Sequence, residues 1–276
     1  MTAAGRGGDR KTGPYGPELG DVSPSFGRTG QFCDAPYAGQ VFRILVVCTA
    51  NICRSPATET LLRRELAASA AAVEVSSAGT AALDGSPACD LSSALVGEFV
   101  ARHYDSTLPA DPPDPRAHRA RRVTEALVAD ADLILALDRS HRAVLARLDA
   151  AARPRTFTLR QAAGLSQVVA GYMADGQSPP GAPPMPVDAT ERLRWWVGEL
   201  DAARGTTGSA AVPSPPAEQV PLQWHPDDVP DPHVIGYQIH GAAIELAEQA
   251  VLVLSAGMRD VVSWAPDSAG ATGERP

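Results

Sequence analysis

The stretch that decides the fold is Phe42-Arg43-Ile44-Leu45-Val46-Val47-Cys48-Thr49-Ala50-Asn51-Ile52-Cys53-Arg54-Ser55-Pro56. Its first six residues form a β-rich apolar run suited to a buried strand. Pro56 then marks a first helical turn, where its missing N–H costs nothing. Ala57, Thr60, Leu61, Arg64 and Leu66 continue the helical spacing. Between strand and helix lies a short loop. Working outward, Val73 to Ser77 reads as a second strand ended by Gly79, and Leu91 to His103 as a helix. Asp132 to Leu137 reads as a third strand, followed by a charged helix through Ser140 to Leu148. Thr156 to Thr158 is a short fourth strand running into a helix at Leu159 to Val169. Strands that alternate with helices predict an α/β fold, with βαβ units and a parallel sheet covered by helices on both faces. In such sheets the active site lies at the carboxyl ends of the strands.

Residues 1–40 carry no periodicity and many Gly and Pro breakers, and read as a disordered tail. The domain is expected over residues 41–256, with a Pro/Gly-rich insertion at about 172–222 and a second disordered tail at 257–276. Within the insertion, Ala189 to Ala203 has the spacing of an amphipathic helix carrying Leu193, Trp196 and Leu200. A last helix carries the stripe Ile235, Ile239, Ala243, Leu246, Ala250 and Leu254. The net charge of −8 argues against a nucleic-acid partner, and the basic segment Arg116 to Arg122 reads as a solvated turn. No run of about 18 consecutive apolar residues predicts a membrane span. The four cysteines (Cys33, Cys48, Cys53 and Cys89) are too few and too unevenly spaced for a disulfide scaffold, so reduced thiols and a cytoplasmic location are expected. No paired Cys-x-x-Cys spacing exists, so neither a metal site nor a cofactor is expected.

The loop from Cys48 to Ser55 carries the chemistry. A loop between a strand and a helix N-terminus can turn backbone N–H groups towards an anion, and the helix end adds partial positive charge. Cys48, at the start of this cup, feels that field and a nearby guanidinium, both of which favour the nucleophilic thiolate. Arg54, separated from Cys48 by five residues, can fold back and hold two phosphate oxygens with its planar fork. Asn51 tolerates a left-handed backbone that would turn the loop amides inward. A P-loop NTPase is excluded, because the Gly-Lys-Ser/Thr ending is missing.

Val47 to Pro56 closely resembles the signature of low-molecular-weight protein tyrosine phosphatases. Ser77-Ala78-Gly79-Thr80, His118-Arg119-Ala120-Arg121, Ala131 to Asp138 and Asp231-Pro232 resemble further segments of that family. The resemblance implies a four-stranded parallel sheet flanked by helices, with the phosphate-binding loop after the first strand. It implies hydrolysis of a phosphate monoester through a cysteinyl-phosphate, with Cys48 as nucleophile, Arg54 as phosphate clamp and Asp231 as general acid, then base. Thr49, Ala50, Asn51, Ile52, Cys53 and Ser55 would complete the loop. Ser55 would donate to the sulfur, and Ser77 and His118 would brace Asn51. Asp111 and Asp114 also precede prolines, but Asp231 precedes the final helix, as the family's acid does.

The implied partner is a phosphotyrosine protein or a small phosphomonoester. Three positions depart from the family pattern. Ala50 replaces a common Gly, so the loop must avoid positive φ there. His233 and Leu83 stand where substrate-facing aromatics are often found, which makes phosphomonoester hydrolysis a broader expectation than tyrosine preference. Cys53 is equally a buried core residue or a disulfide partner for Cys48. Two rival readings remain. An arsenate reductase of this fold needs two relay cysteines downstream, where only Cys89 exists. A non-catalytic anion- or partner-binding module would keep the cup and use the tail and insertion as its surfaces.

Overall fold

The computed structural model describes residues 41–103, 115–174, 178–205 and 224–264. The expected tail at 1–40 and Asp111 and Asp114, the aspartates that precede prolines, lie outside these residues, as do all of residues 206–223 and 265–276. Four strands, β1 (Phe42–Cys48), β2 (Val73–Gly79), β3 (Leu133–Ala136) and β4 (Thr156–Thr158), form one parallel sheet in the order β2-β1-β3-β4. The helices are α1 (Arg54–Leu66), α2 (Asp90–His103), α3 (Glu125–Asp130), α4 (Arg139–Leu148), α5 (Leu159–Ala174), α6 (Ala189–Ala202), α7 (Pro232–Ile235) and α8 (His240–Ser263).

Strand periodicity sorts the core into two layers, because alternate residues of a strand point to opposite faces. Phe42, Ile44, Val46 and Cys48 join α1, α5, α6 and α8 in one apolar cluster. Leu45 and Val47 point the other way, onto Val128 of α3 and Leu145 of α4. Helices therefore cover both faces. The strand order reverses at β1, since the chain leaves it towards β2 and returns beyond it to β3 and β4. The crevice at the carboxyl ends of β1 and β3 is a topological switch point, where open α/β sheets bind ligands.

The helix inside the expected insertion belongs to the core. Leu193, Trp196 and Leu200 of α6 are buried beside α5 and α8. Polar ties add to this packing. Arg194 pairs with Asp132 at the foot of β3 (2.9 Å), and Asp132 also accepts the Arg43 N–H (2.8 Å). Arg192 donates to the carbonyls of Val262 and Trp264 at the end of α8.

The C-terminal reading needs two corrections. Order continues past residue 256 to Ser263, because Gly257, Met258 and Val261 still face the core. Ile235 and Ile239 are not on the long helix. Ile235 ends α7, and Gly236 then breaks the chain with φ 146° before a 3-10 turn at Tyr237–Ile239. The segment Tyr237–Ser263 also has the length and apolar composition of a membrane span, without an unbroken apolar run. Here its apolar stripe packs against α1, α5 and α6.

If α6 is core, truncating its central aromatic must be costly. Trp196→Ala, at a residue 1% exposed, is expected to lower unfolding free energy by about 3–5 kcal/mol. Val187→Ala, 92% exposed in the neighbouring segment, should stay within about 0.5 kcal/mol of wild type. Urea denaturation of both variants checks this.

Candidate active site

The loop after β1 closes around the sulfur of Cys48. The Asn51 N–H donates to Cys48 Sγ (3.2 Å), and Ser55 Oγ lies 3.0 Å from the same atom. Asn51 has φ 55°, the only non-glycine residue with positive φ among the described residues, so Ala50 avoids that region as expected. That backbone is held by the Asn51 side chain. Its Oδ1 accepts the Arg121 N–H (2.9 Å), which fixes the amide orientation. Its Nδ2 donates to Ser55 Oγ (2.9 Å) and Ser77 Oγ (2.8 Å). Ser55 Oγ thus accepts from Asn51, leaving its own hydrogen for the sulfur. Ser77 in turn donates to the buried Glu59 carboxylate (2.5 Å), which also pairs with Arg63 (2.7 Å). His118 Nε2 donates to the Asn51 carbonyl (2.8 Å).

Gly79, the last residue of β2, passes against this loop. A Cβ there would stand 2.6 Å from the Thr49 carbonyl oxygen and 2.9 Å from the Asn51 nitrogen. Only glycine permits the approach. The Arg121 side chain donates to the Ser77 carbonyl (2.8 Å). The basic segment Arg116 to Arg122 is therefore partly a brace for the loop, in addition to a solvated turn.

Arg54 begins α1 with its guanidinium buried. It donates to the Val229 carbonyl (3.0 Å) and Thr49 Oγ1 (3.1 Å), and forms a close ion pair with Asp231 Oδ2. The second oxygen of Asp231 caps α7 by accepting the His233 N–H (3.0 Å). Asp231, 177 positions from Arg54 in sequence, thus meets the loop that carries Cys48 and Arg54. The segment carrying Asp231 is anchored to the sheet, since the Val229 N–H donates to the Leu137 carbonyl (2.8 Å).

Several residues of the site were missed by sequence reasoning. Trp224, Asp138, Asp228, Val234 and Ile235 line a cleft together with Thr49, Arg54 and Asp231. Trp224 donates to the Asp228 carbonyl (3.0 Å), and the Arg160 guanidinium lies over its ring (5.4 Å). His233 and Leu83 replace the aromatics often found at their positions, and Trp224 brings an aromatic ring to the cleft from another segment; Leu83 is largely exposed. His141 was read as part of a charged helix, yet it is buried, with Nε2 3.0 Å from Thr49 Oγ1. No local pattern marks these residues, because they enter the cleft from elements distant in sequence. Glu59 did leave a trace, as a lone acid on the buried side of α1.

Cys53 and Cys48 are both free thiols. Cys53 lies 2.7 Å from Ser92 Oγ, and burial pushes its thiol up to about 12. The expectation of no metal-ligand set rested on spacing along the chain. The fold nevertheless brings Cys53, Cys89, His233 and His240 together from four separate segments, with ligand atoms within 4.8 Å of one another.

The chain matches the family described as low molecular weight phosphotyrosine protein phosphatase over residues 43–167. It is 45% identical over 95 residues to the protein named "Probable low molecular weight protein-tyrosine-phosphatase EpsP" of Ralstonia nicotianae. That match covers 34% of this chain and 54%, about half, of the relative. The low molecular weight protein-tyrosine-phosphatase Etp of Escherichia coli K12 is 36% identical over 118 residues, 43% of this chain and 69% of Etp. A protein-arginine-phosphatase of Geobacillus stearothermophilus is 31% identical over 144 residues, 51% of this chain and 81% of that protein.

His141 provides a pH test of the site's electrostatics. Burial, and secondly the charge of Arg54, push its imidazole down from 6.5 to about 4. The folded value lies below the unfolded one, so the unfolded chain takes up the proton first as pH falls. The stabilising effect is therefore whole above about pH 6.5 and is lost towards pH 4. By pH 4.5 the loss is on the order of 2–3 kcal/mol. Wild type should lose that much more unfolding free energy than His141→Asn between pH 7.5 and 4.5, measured in urea.

Proposed function

Because the chain belongs to the low-molecular-weight phosphotyrosine protein phosphatase family, we propose that it hydrolyses phosphate monoesters through a cysteinyl-phosphate, with phosphotyrosine proteins as substrates. The observation that carries this reading is the sulfur of Cys48, which faces two donors inside a loop closed by the Arg54 guanidinium.

The Cys48 thiolate attacks phosphorus while the ester P–O bond breaks. Asp231 gives its proton to the departing oxygen. Arg54 and the loop amides hold the three remaining oxygens as charge builds on them. Water then attacks the cysteinyl-phosphate and Asp231 takes its proton. The S–P bond breaks and the electron pair returns to sulfur, where the Asn51 N–H and Ser55 hydroxyl stabilise it. Free phosphate leaves. Nothing in this cycle calls for a redox group or a metal at Cys48.

The close pair between Arg54 and Asp231 supports the assignment of Asp231 over other acids, because it puts a carboxyl at the mouth of the cup. Trp224 supports an aromatic ester, since its ring borders the cleft that holds both residues. The expected cytoplasmic location stays with this proposal, as does the choice of phosphotyrosine among phosphomonoesters.

Turnover of p-nitrophenyl phosphate, phenyl phosphate and a phosphotyrosine peptide tests the reading. Cys48→Ser should have no activity on any of them. Asp231→Asn should lower kcat by about 10²–10⁴-fold, most severely for phenyl phosphate, whose poorer leaving group depends most on the acid. Residual turnover by Cys48→Ser would defeat the mechanism. A wild-type preference for a phosphoarginine peptide would defeat the substrate assignment alone.

A further inference from the structure

Four side chains meet beside the phosphate loop without a role in the proposed hydrolysis. Cys53 belongs to the loop, Cys89 immediately precedes α2, His233 lies on α7 and His240 begins α8. Their two sulfurs and two ring nitrogens all lie within 4.8 Å of one another. The set is soft and mixed, Cys₂His₂, which is a donor set typical of tetrahedral zinc. Bond lengths of about 2.3 Å to sulfur and 2.0–2.1 Å to nitrogen put the two kinds of donor about 3.5–3.6 Å apart around a tetrahedral ion. Cys89 Sγ and His240 Nε2 already stand 3.6 Å apart. The remaining pairs need to close by no more than about 1.5 Å to reach tetrahedral edges.

The surroundings favour the same ion. His240 is buried, and its Nδ1 donates to the Tyr237 carbonyl (2.9 Å). That bond fixes the tautomer with the lone pair on Nε2, the nitrogen facing Cys89, as backbone carbonyls do behind metal-bound imidazoles. The His240 ring is also stacked on Tyr237 and meets His233 edge-on, with centroids 5.3 and 5.2 Å away. Ser92 Oγ, 2.7 Å from Cys53 Sγ, can donate to a thiolate there.

We propose that Cys53, Cys89, His233 and His240 bind one zinc ion, which staples the phosphate loop to the turn that follows Asp231. Binding forms two Zn–S and two Zn–N bonds and breaks two S–H bonds, and the two protons pass to solvent. The two thiolates cancel the charge of the ion, so a neutral centre sits next to the Arg54 pair. Since His233 is two residues from Asp231, the ion fixes the turn that aims this carboxyl at Arg54. Each thiol that must deprotonate makes the affinity rise with pH.

The full chain, loaded with zinc chloride under reducing conditions and desalted, should retain one zinc per chain by elemental analysis. Cobalt(II) substituted at the site should show the intense visible bands of a tetrahedral ion and a thiolate charge-transfer band. Cys89→Ser and the exposed His233→Ala should each weaken zinc binding by about 100-fold or more, at or beyond the loss caused by removing a supporting group. Both should match wild type in circular dichroism and melting temperature in chelator. Cys48→Ser should bind zinc as wild type does. Failure of wild type to retain zinc overturns the proposal. So does zinc binding unchanged by Cys89→Ser and His233→Ala, or its loss in Cys48→Ser, which would place the ion on the nucleophile. These readouts do not depend on turnover, so an inactive chain that retains zinc would sink the hydrolase reading and leave this one standing.

Discussion

The site depends on one residue held in an unfavourable backbone conformation. A left-handed L-residue costs roughly 1–2 kcal/mol, and Asn51 adopts it at φ 55°. Its backbone N–H and carbonyl and both ends of its side chain are bonded, to Cys48, His118, Arg121, Ser55 and Ser77. These bonds offset the strain and fix the residue's orientation, because Cys48 and Ser55 hold it within the loop while Ser77, His118 and Arg121 hold it from other segments. The same side chain that pins the backbone also orders Ser55, so loop shape and the hydrogen bond to sulfur have one origin. Glu59 and Gly79 extend the constraint outward, the first by anchoring Ser77 and the second by yielding space.

Most of the fold was legible because strand and helix periods differ. The run Phe42 to Val47 gave β1, and the alternation of strands and helices gave a parallel sheet with two covered faces. The C-terminal region was less legible. An apolar residue every three or four positions looks the same on one helix as on a short helix, a glycine break and a second helix. Ile235 and Ile239 were therefore merged into α8. The proline-rich flanks of α6 similarly pointed to an accessory insertion, while Trp196 and Leu193 had the spacing of a core helix. Spacing proved the better guide there, since a helix is placed by what its face buries and not by its connections.

The reactive loop was readable residue by residue because its members are contiguous. Ser77, His118 and Asp231 were reached only through family resemblance, and the fold brings each of them to the loop. His141, Trp224 and the histidines beside Cys53 and Cys89 have no local signal. Strand order places the end of β3, and His141 beyond it, beside the end of β1, while the later segment with Trp224 reaches the same crevice through the Val229 bond to Leu137. The spacing rule that argued against metal ligands applies to sites built on one hairpin or loop, and this set draws on four segments.

The guanidinium of Arg54 holds the chain at two places, the Val229 carbonyl and the Asp231 carboxylate, while also closing the anion cup. A single side chain thus joins the strand end to the acid-bearing segment. Shortening or neutralising it would release that segment as well as the anion, so the two losses have a common cause. Thermodynamic cycles that pair a change at this arginine with one at the carboxylate will consequently be far from additive.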